Sequence, residues 1–100
     1  MSEIESLANA IRKLHGVESK HVESVPVKET FQGQTVWQGD VEVFDLIGHP
    51  KASRCYAWAY QDDDGRTQYT AVLGLPPVQS AQDAVKAALV AQVKNERKET

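Results

Sequence analysis

One hundred residues at 41% hydrophobic and 25% charged describe a single globular domain with one core, too apolar for a disordered tail. The net charge of −3 is spread evenly: three cations against four anions over 1–24 and over 25–61, and five against six over 62–100. No basic arm is present to hold a phosphate backbone, and a lone cysteine, Cys55, rules out an internal disulfide and a cysteine-rich zinc module.

Residues 3–15 are expected to form an amphipathic helix, because Ile4, Leu7, Ile11 and Leu14 recur at helical spacing with Ala8 in the same stripe. Ser2 and Glu5 have capping-box spacing, and Gly16 follows a last turn rich in cations. From Val22 onward the period falls to two. A first strand carries Val25, Val27 and Phe31, with Pro26 marking an edge position. After a turn at Gln32-Gly33-Gln34, a second strand runs from Thr35 to Ile47. Its apolar parity changes at Phe44-Asp45-Leu46, which a bulge there would explain. Arg54 to Gln61 is the third strand, Asp62-Asp63-Asp64-Gly65 a hairpin turn, and Gln68 to Leu75 the fourth strand.

Pro76-Pro77 ends the sheet region, and Ser80 with Asp83 opens a second helix lined by Ala81, Val85, Ala88, Leu89 and Val93. The last few residues are expected to fray. The fold class is therefore α+β: an N-terminal helix, an antiparallel meander of three to four strands and a C-terminal helix. The simplest packing is two layers, with both helices on one sheet face.

The third strand places Arg54, Tyr56, Trp58 and Tyr60 on one side and Cys55, Ala57 and Ala59 on the other. If the small side meets the helices, the aromatic row is an open docking surface. If the aromatic side meets them, the row is core. A second copy of the chain, as a homodimer, is another cover for it. The densest set of reactive groups lies just before, in Gly48-His49-Pro50-Lys51-Ala52-Ser53-Arg54. Lys51 and Arg54 suit an anion such as phosphate or carboxylate, and His49 suits proton transfer. Set against that, connections at a surface are polar anyway.

Cys55 on a strand lacks a helix N-terminus to activate it, and is expected to be a buried structural thiol. His15, His21 and His49 have no metal-ligand spacing, so no metal and no cofactor is expected. The three aspartates at 62–64 have turn chemistry rather than a calcium-loop pattern. There is neither an apolar run long enough to span a membrane nor an export signal. With the single cysteine, that points to a cytoplasmic protein with no membrane partner.

The stretch Trp37-Gln38-Gly39-Asp40-Val41-Glu42-Val43-Phe44-Asp45-Leu46-Ile47-Gly48-His49-Pro50-Lys51 resembles a group of small bacterial proteins. Their core is Trp-x-Gly-x-Val-x-Val-Phe-x-Leu-x-Gly-His-Pro-Lys. The resemblance runs from Val36 to Tyr60, taking in Arg54 and Trp58, and extends to the Leu-Pro-Pro-Val lead into the last helix; it implies a bacterial cytoplasmic protein and brings no activity with it. The element order resembles the double-stranded-RNA-binding domain as well. In this chain, however, Ser80-Ala81-Gln82-Asp83 stands where that family has a basic cluster.

Three functions follow as expectations. The first is a non-catalytic binding or adaptor domain using the Gly48–Arg54 loop and the aromatics Tyr56, Trp58 and Trp37, with a protein or anionic ligand as partner. The second is a nucleic-acid binder using Lys51, Arg54 and the aromatic row. The third is a small enzyme acting through His49 and Lys51.

Overall fold

A computed structural model describes residues 2–76 and 78–98, and side chains only as far as Ala91. The expected fraying falls on the last residues, outside that description, as does Pro77. The elements are α1 (Glu3–His15), β1 (Glu18–Phe31), β2 (Gln34–Ile47), β3 (Arg54–Gln61), β4 (Thr67–Leu73) and α2 (Ala81–Lys98). The strands form one antiparallel sheet in the order β1-β2-β3-β4, the expected meander.

Local chemistry sets the boundaries. The Ser2 hydroxyl accepts from the Glu5 N–H at 3.2 Å, and Gly16 takes φ +70° while its N–H donates to the Arg12 carbonyl at 2.8 Å. At the β3–β4 turn, Asp62 Oδ1 accepts from the N–H groups of Asp64 (3.0 Å) and Arg66 (2.9 Å), and Gln68 Nε2 donates to Oδ2 at 3.1 Å. Those donors, Gln68 first, hold the Asp62 carboxyl below its ordinary range. The carboxylate thus serves its own turn. Ser80 caps α2 by accepting from the Asp83 N–H at 3.2 Å, while Asp83 accepts from Gln79 N–H at 3.2 Å.

The helices do not share a sheet face. Leu7 and Ile11 of α1 pack with Phe44, Cys55 and Ala57, whereas Ala81, Ala84 and Val85 of α2 pack with Val27, Val41, Val43, Tyr56 and Trp58. Neighbours along a strand point to opposite faces, so Cys55 and Ala57 look toward α1 while Tyr56 and Trp58 look toward α2. The two-layer expectation is thereby corrected to helix, sheet, helix. Side-chain size explains the placement. The small Cys55, Ala57 and Ala71 sit under the bulky stripe of α1, and the aromatics sit under the alanine-rich stripe of α2.

That placement also relocates the bulge. Val41 and Val43 face α2 while Phe44 and Leu46 face α1, so both parities of β2 are apolar without any flip. One register shift does fall opposite Val43-Phe44, between His21 and Glu23, but its extra residue belongs to β1; the other lies between Glu29 and Thr30. They leave Val22 and Val36 without an opposite residue, and these valines are 42% and 49% exposed.

Polar ties fix each helix. His15 Nε2 donates to the Ala71 carbonyl at 3.1 Å, fastening the end of α1 to β4. Gln82 Nε2 donates to the Lys28 carbonyl at 3.2 Å and to the Glu29 carboxylate, with Lys86 Nζ 3.8 Å from the same group. Glu29 shares the core-facing parity of Val25 and Val27. It is a buried carboxylate that needs these α2 partners.

Candidate functional site

The β2–β3 connection is a stiff loop. Gly48 bends the chain at φ +85°, where a side chain would be strained. The His49 Nδ1 then accepts from the N–H groups of Lys51 (3.1 Å) and Ala52 (2.9 Å), so the ring carries its proton on Nε2. Ala52 is buried as an anchor, and the Leu46 N–H donates to the Ser53 carbonyl at 2.9 Å to close the base. Histidine here does the work that asparagine or aspartate does in an Asx turn. His49→Ala is expected to lower stability by about 1 kcal/mol, as loss of a cap does, and to speed amide exchange at Lys51 and Ala52. His49→Asn should restore most of that protection.

The loop brings together three of the six residues picked out in the sequence. His49 is spent on the backbone. Lys51 is exposed, with no carboxylate partner among the described residues. Arg54 Nη2 lies 3.5 Å from Asp45 Oδ1, a loose pair with both side chains about half in water. Exposed Ile47 precedes the loop and exposed Pro50 lies within it. A proton shuttle from His49 through Nδ1 would require this loop to come apart.

The other three residues are elsewhere. Tyr56 and Trp58 are 5% and 4% exposed and lie beneath α2. Trp37 is half-buried and meets Trp58 edge-on, with ring centroids 5.6 Å apart and planes at 66°. It can do so because it folds back over Gly39, where a Cβ would come 3.2 Å from the Trp37 ring. Trp37 is not beside the loop, because β2 and β3 pair only from Glu42↔Ala57 to Asp45↔Arg54. Tyr56 and Trp58 of the aromatic row are therefore core, while Tyr60 is open, at 45% exposure.

Cys55 is fully buried against α1, and desolvation pushes its thiol up to about 12. The unfolded thiol ionises near 9.0 and the folded one does not, so stability attributable to Cys55 is intact below pH 9 and falls as pH rises toward 12. The expected slope is about 1.4 kcal/mol per pH unit. Comparing urea midpoints of the wild type and Cys55→Ala between pH 8 and 10.5 checks it, since the variant should lack that increment. Iodoacetamide labelling at pH 8 should be slow until the protein is denatured.

Sequence reasoning passed over one polar cluster on the α1 face. His21 Nε2 lies 2.8 Å from Glu42 Oε1, the Ser24 hydroxyl donates to the same oxygen, and the His21 ring stands edge-on to Phe44. The signal was the charged Glu42 directly opposite Ser24 in the β1–β2 pair. The carboxylate occupies the centre, so Ser24 has no contact with the imidazole that would activate it as a nucleophile.

No group of three or more His, Cys, Asp or Glu suited to a metal occurs among the described residues, and no helix there is long and apolar enough to cross a membrane. No family model, no curated protein and no solved structure matches the chain. Within Trp37–Lys51, Gly39 admits the Trp37 ring, Gly48 makes the bend, and His49 holds the loop.

Proposed function

We propose that this chain is a non-catalytic binding module that works in a reducing, cytoplasmic setting and takes an anionic group of a protein partner on the Gly48–Arg54 loop. The observation that carries this is a pre-stiffened loop presenting Lys51 without an acidic neighbour of its own among the described residues. A loop already held in shape loses little entropy on binding, and an unpaired ammonium is available to a partner carboxylate or phosphate. Arg54 adds a second cation, since its exposed contact with Asp45 is cheaply exchanged.

The test is recovery of partners from native lysate by the wild type and by Lys51→Glu, Arg54→Glu. Circular dichroism should show the double variant folded, because both side chains reach solvent. Loss of the wild-type partners is the expected result. Recovery of the same partners by both proteins would rule the loop out.

A further inference from the structure

We propose that the outer edge of β4 pairs with β4 of a second copy of this chain, antiparallel and about a two-fold axis at Tyr69. The β3–β4 register decides which backbone groups point outward. The Asp62 N–H donates to the Arg66 carbonyl at 2.9 Å, and the Gly74 N–H to the Arg54 carbonyl at 2.7 Å. Counting by two between those pairs, Gln68, Thr70 and Val72 bond to β3, while the N–H and C=O groups of Thr67, Tyr69, Ala71 and Leu73 point away from the sheet. Two of these carbonyls are taken, Ala71 by His15 at 3.1 Å and Leu73 by the Leu75 N–H at 2.9 Å. Both groups of Thr67 and of Tyr69, and the Ala71 N–H, have no protein partner among the described residues.

The other edge of the sheet is guarded and this one is not. β1 carries Lys20, Pro26, Lys28 and the extra residue Val22, which are devices that keep a strand from pairing further. The stretch of β2 beyond its ladder with β3 is broken at Val36 and carries Asp40. β4, from Thr67 to Leu73, has no charge, no proline and no register shift, in a chain of net charge −3. Its own copy fits it group for group. With the axis at Tyr69, each Tyr69 N–H meets the Tyr69 carbonyl of the other copy, and each Ala71 N–H meets the other Thr67 carbonyl. The Thr67 N–H shares the Ala71 carbonyl, which has a second lone pair beside the one His15 uses. The first helix adds complementary charge. α1 runs along β4, since Glu3 and Ser6 share a hollow with Thr67 and Tyr69 while His15 reaches Ala71. The axis therefore sets the two copies of α1 antiparallel. The acidic first turn of one, with Glu3 and Glu5, then lies alongside the basic last turn of the other, with Arg12 and Lys13. Because β1 is guarded, pairing closes at two copies.

Sedimentation equilibrium tests the pairing. Five residues a side make less than a standard interface, so a monomer–dimer equilibrium is expected with a dissociation constant on the order of 100 µM. Tyr69→Pro removes an outward N–H that β3 does not use, and Tyr69→Lys sets two like charges on the axis. Each should weaken association at least about tenfold, with circular dichroism showing the fold kept; Tyr69→Lys needs no backbone change. Lys51→Glu should associate as the wild type does, which separates this edge from the loop. Under mild oxidation Tyr69→Cys should form a disulfide-linked dimer, because residues opposite each other in a hydrogen-bonded pair have Cα atoms about 5.5 Å apart. Tyr60→Cys, as exposed but one strand further in, should not. A monomer at every concentration up to about 1 mM, unchanged association of Tyr69→Lys, or equal cross-linking through Tyr60→Cys would overturn the proposal.

Discussion

Trp58→Ala is expected to cost about 3–5 kcal/mol of folding free energy, a large share of what a domain of this size has. Trp58 lies under α2 in the cluster with Val41, Val43, Tyr56 and Val85, and Trp37 rests against its edge. Removing the indole takes away the surface on which α2 is seated and leaves Trp37 without a partner. In urea the midpoint should fall sharply with little change in the slope. Were the aromatic row an outward docking surface, the same substitution would stay within about 0.5 kcal/mol.

Phe44→Ala should be comparably severe, about 3–5 kcal/mol, but through the other core. Phe44 is fully buried, packs with Leu7, Ile11, Cys55 and Ala57, and receives the edge of the His21 ring. It shares no cluster with Trp58, because the sheet stands between them. The milder pair Phe44→Leu and Trp58→Phe should therefore add to within about 0.5 kcal/mol when combined. Strong non-additivity would mean that the two residues sit in one core, which helices on a single face would require.

Much of the fold is legible in the residues because its boundaries are set locally. Ser2, Gly16, Asp62, Gly65 and Ser80 each act within a few positions of themselves, and the elements begin and end where they do. Side-chain parity is legible too, but which helix covers which parity is a tertiary matter. Two signs of a sheet covered on both sides were present. β2 is apolar at Val41 and Val43 and again, on the other parity, at Phe44 and Leu46; β3 has no charged residue between Arg54 and Gln61. A strand buried on both faces loses its alternation, and a bulge was the wrong explanation for that loss.

The site divides in the same way. Lys51 is visible in sequence as a cation in a polar connection. The role of His49 is not, since its acceptor geometry depends on the bend at Gly48. Trp37 and Trp58 are far apart in sequence, and their contact depends on where the β2–β3 ladder ends. Glu29 was the remaining readable clue: a carboxylate in register with Val25 and Val27 had to be met by something, and Gln82 and Lys86 meet it.

Nuclear Overhauser contacts from β3 give the most direct measurement of the central claim, that the two helices clasp opposite faces of one sheet. The account predicts cross-peaks from the Ala57 methyl to Leu7 and Ile11, and from the Trp58 ring to Ala84 and Val85, with none from Trp58 to α1. Cross-peaks joining Trp58 to Leu7 or Ile11, or Ala57 to Val85, would contradict it.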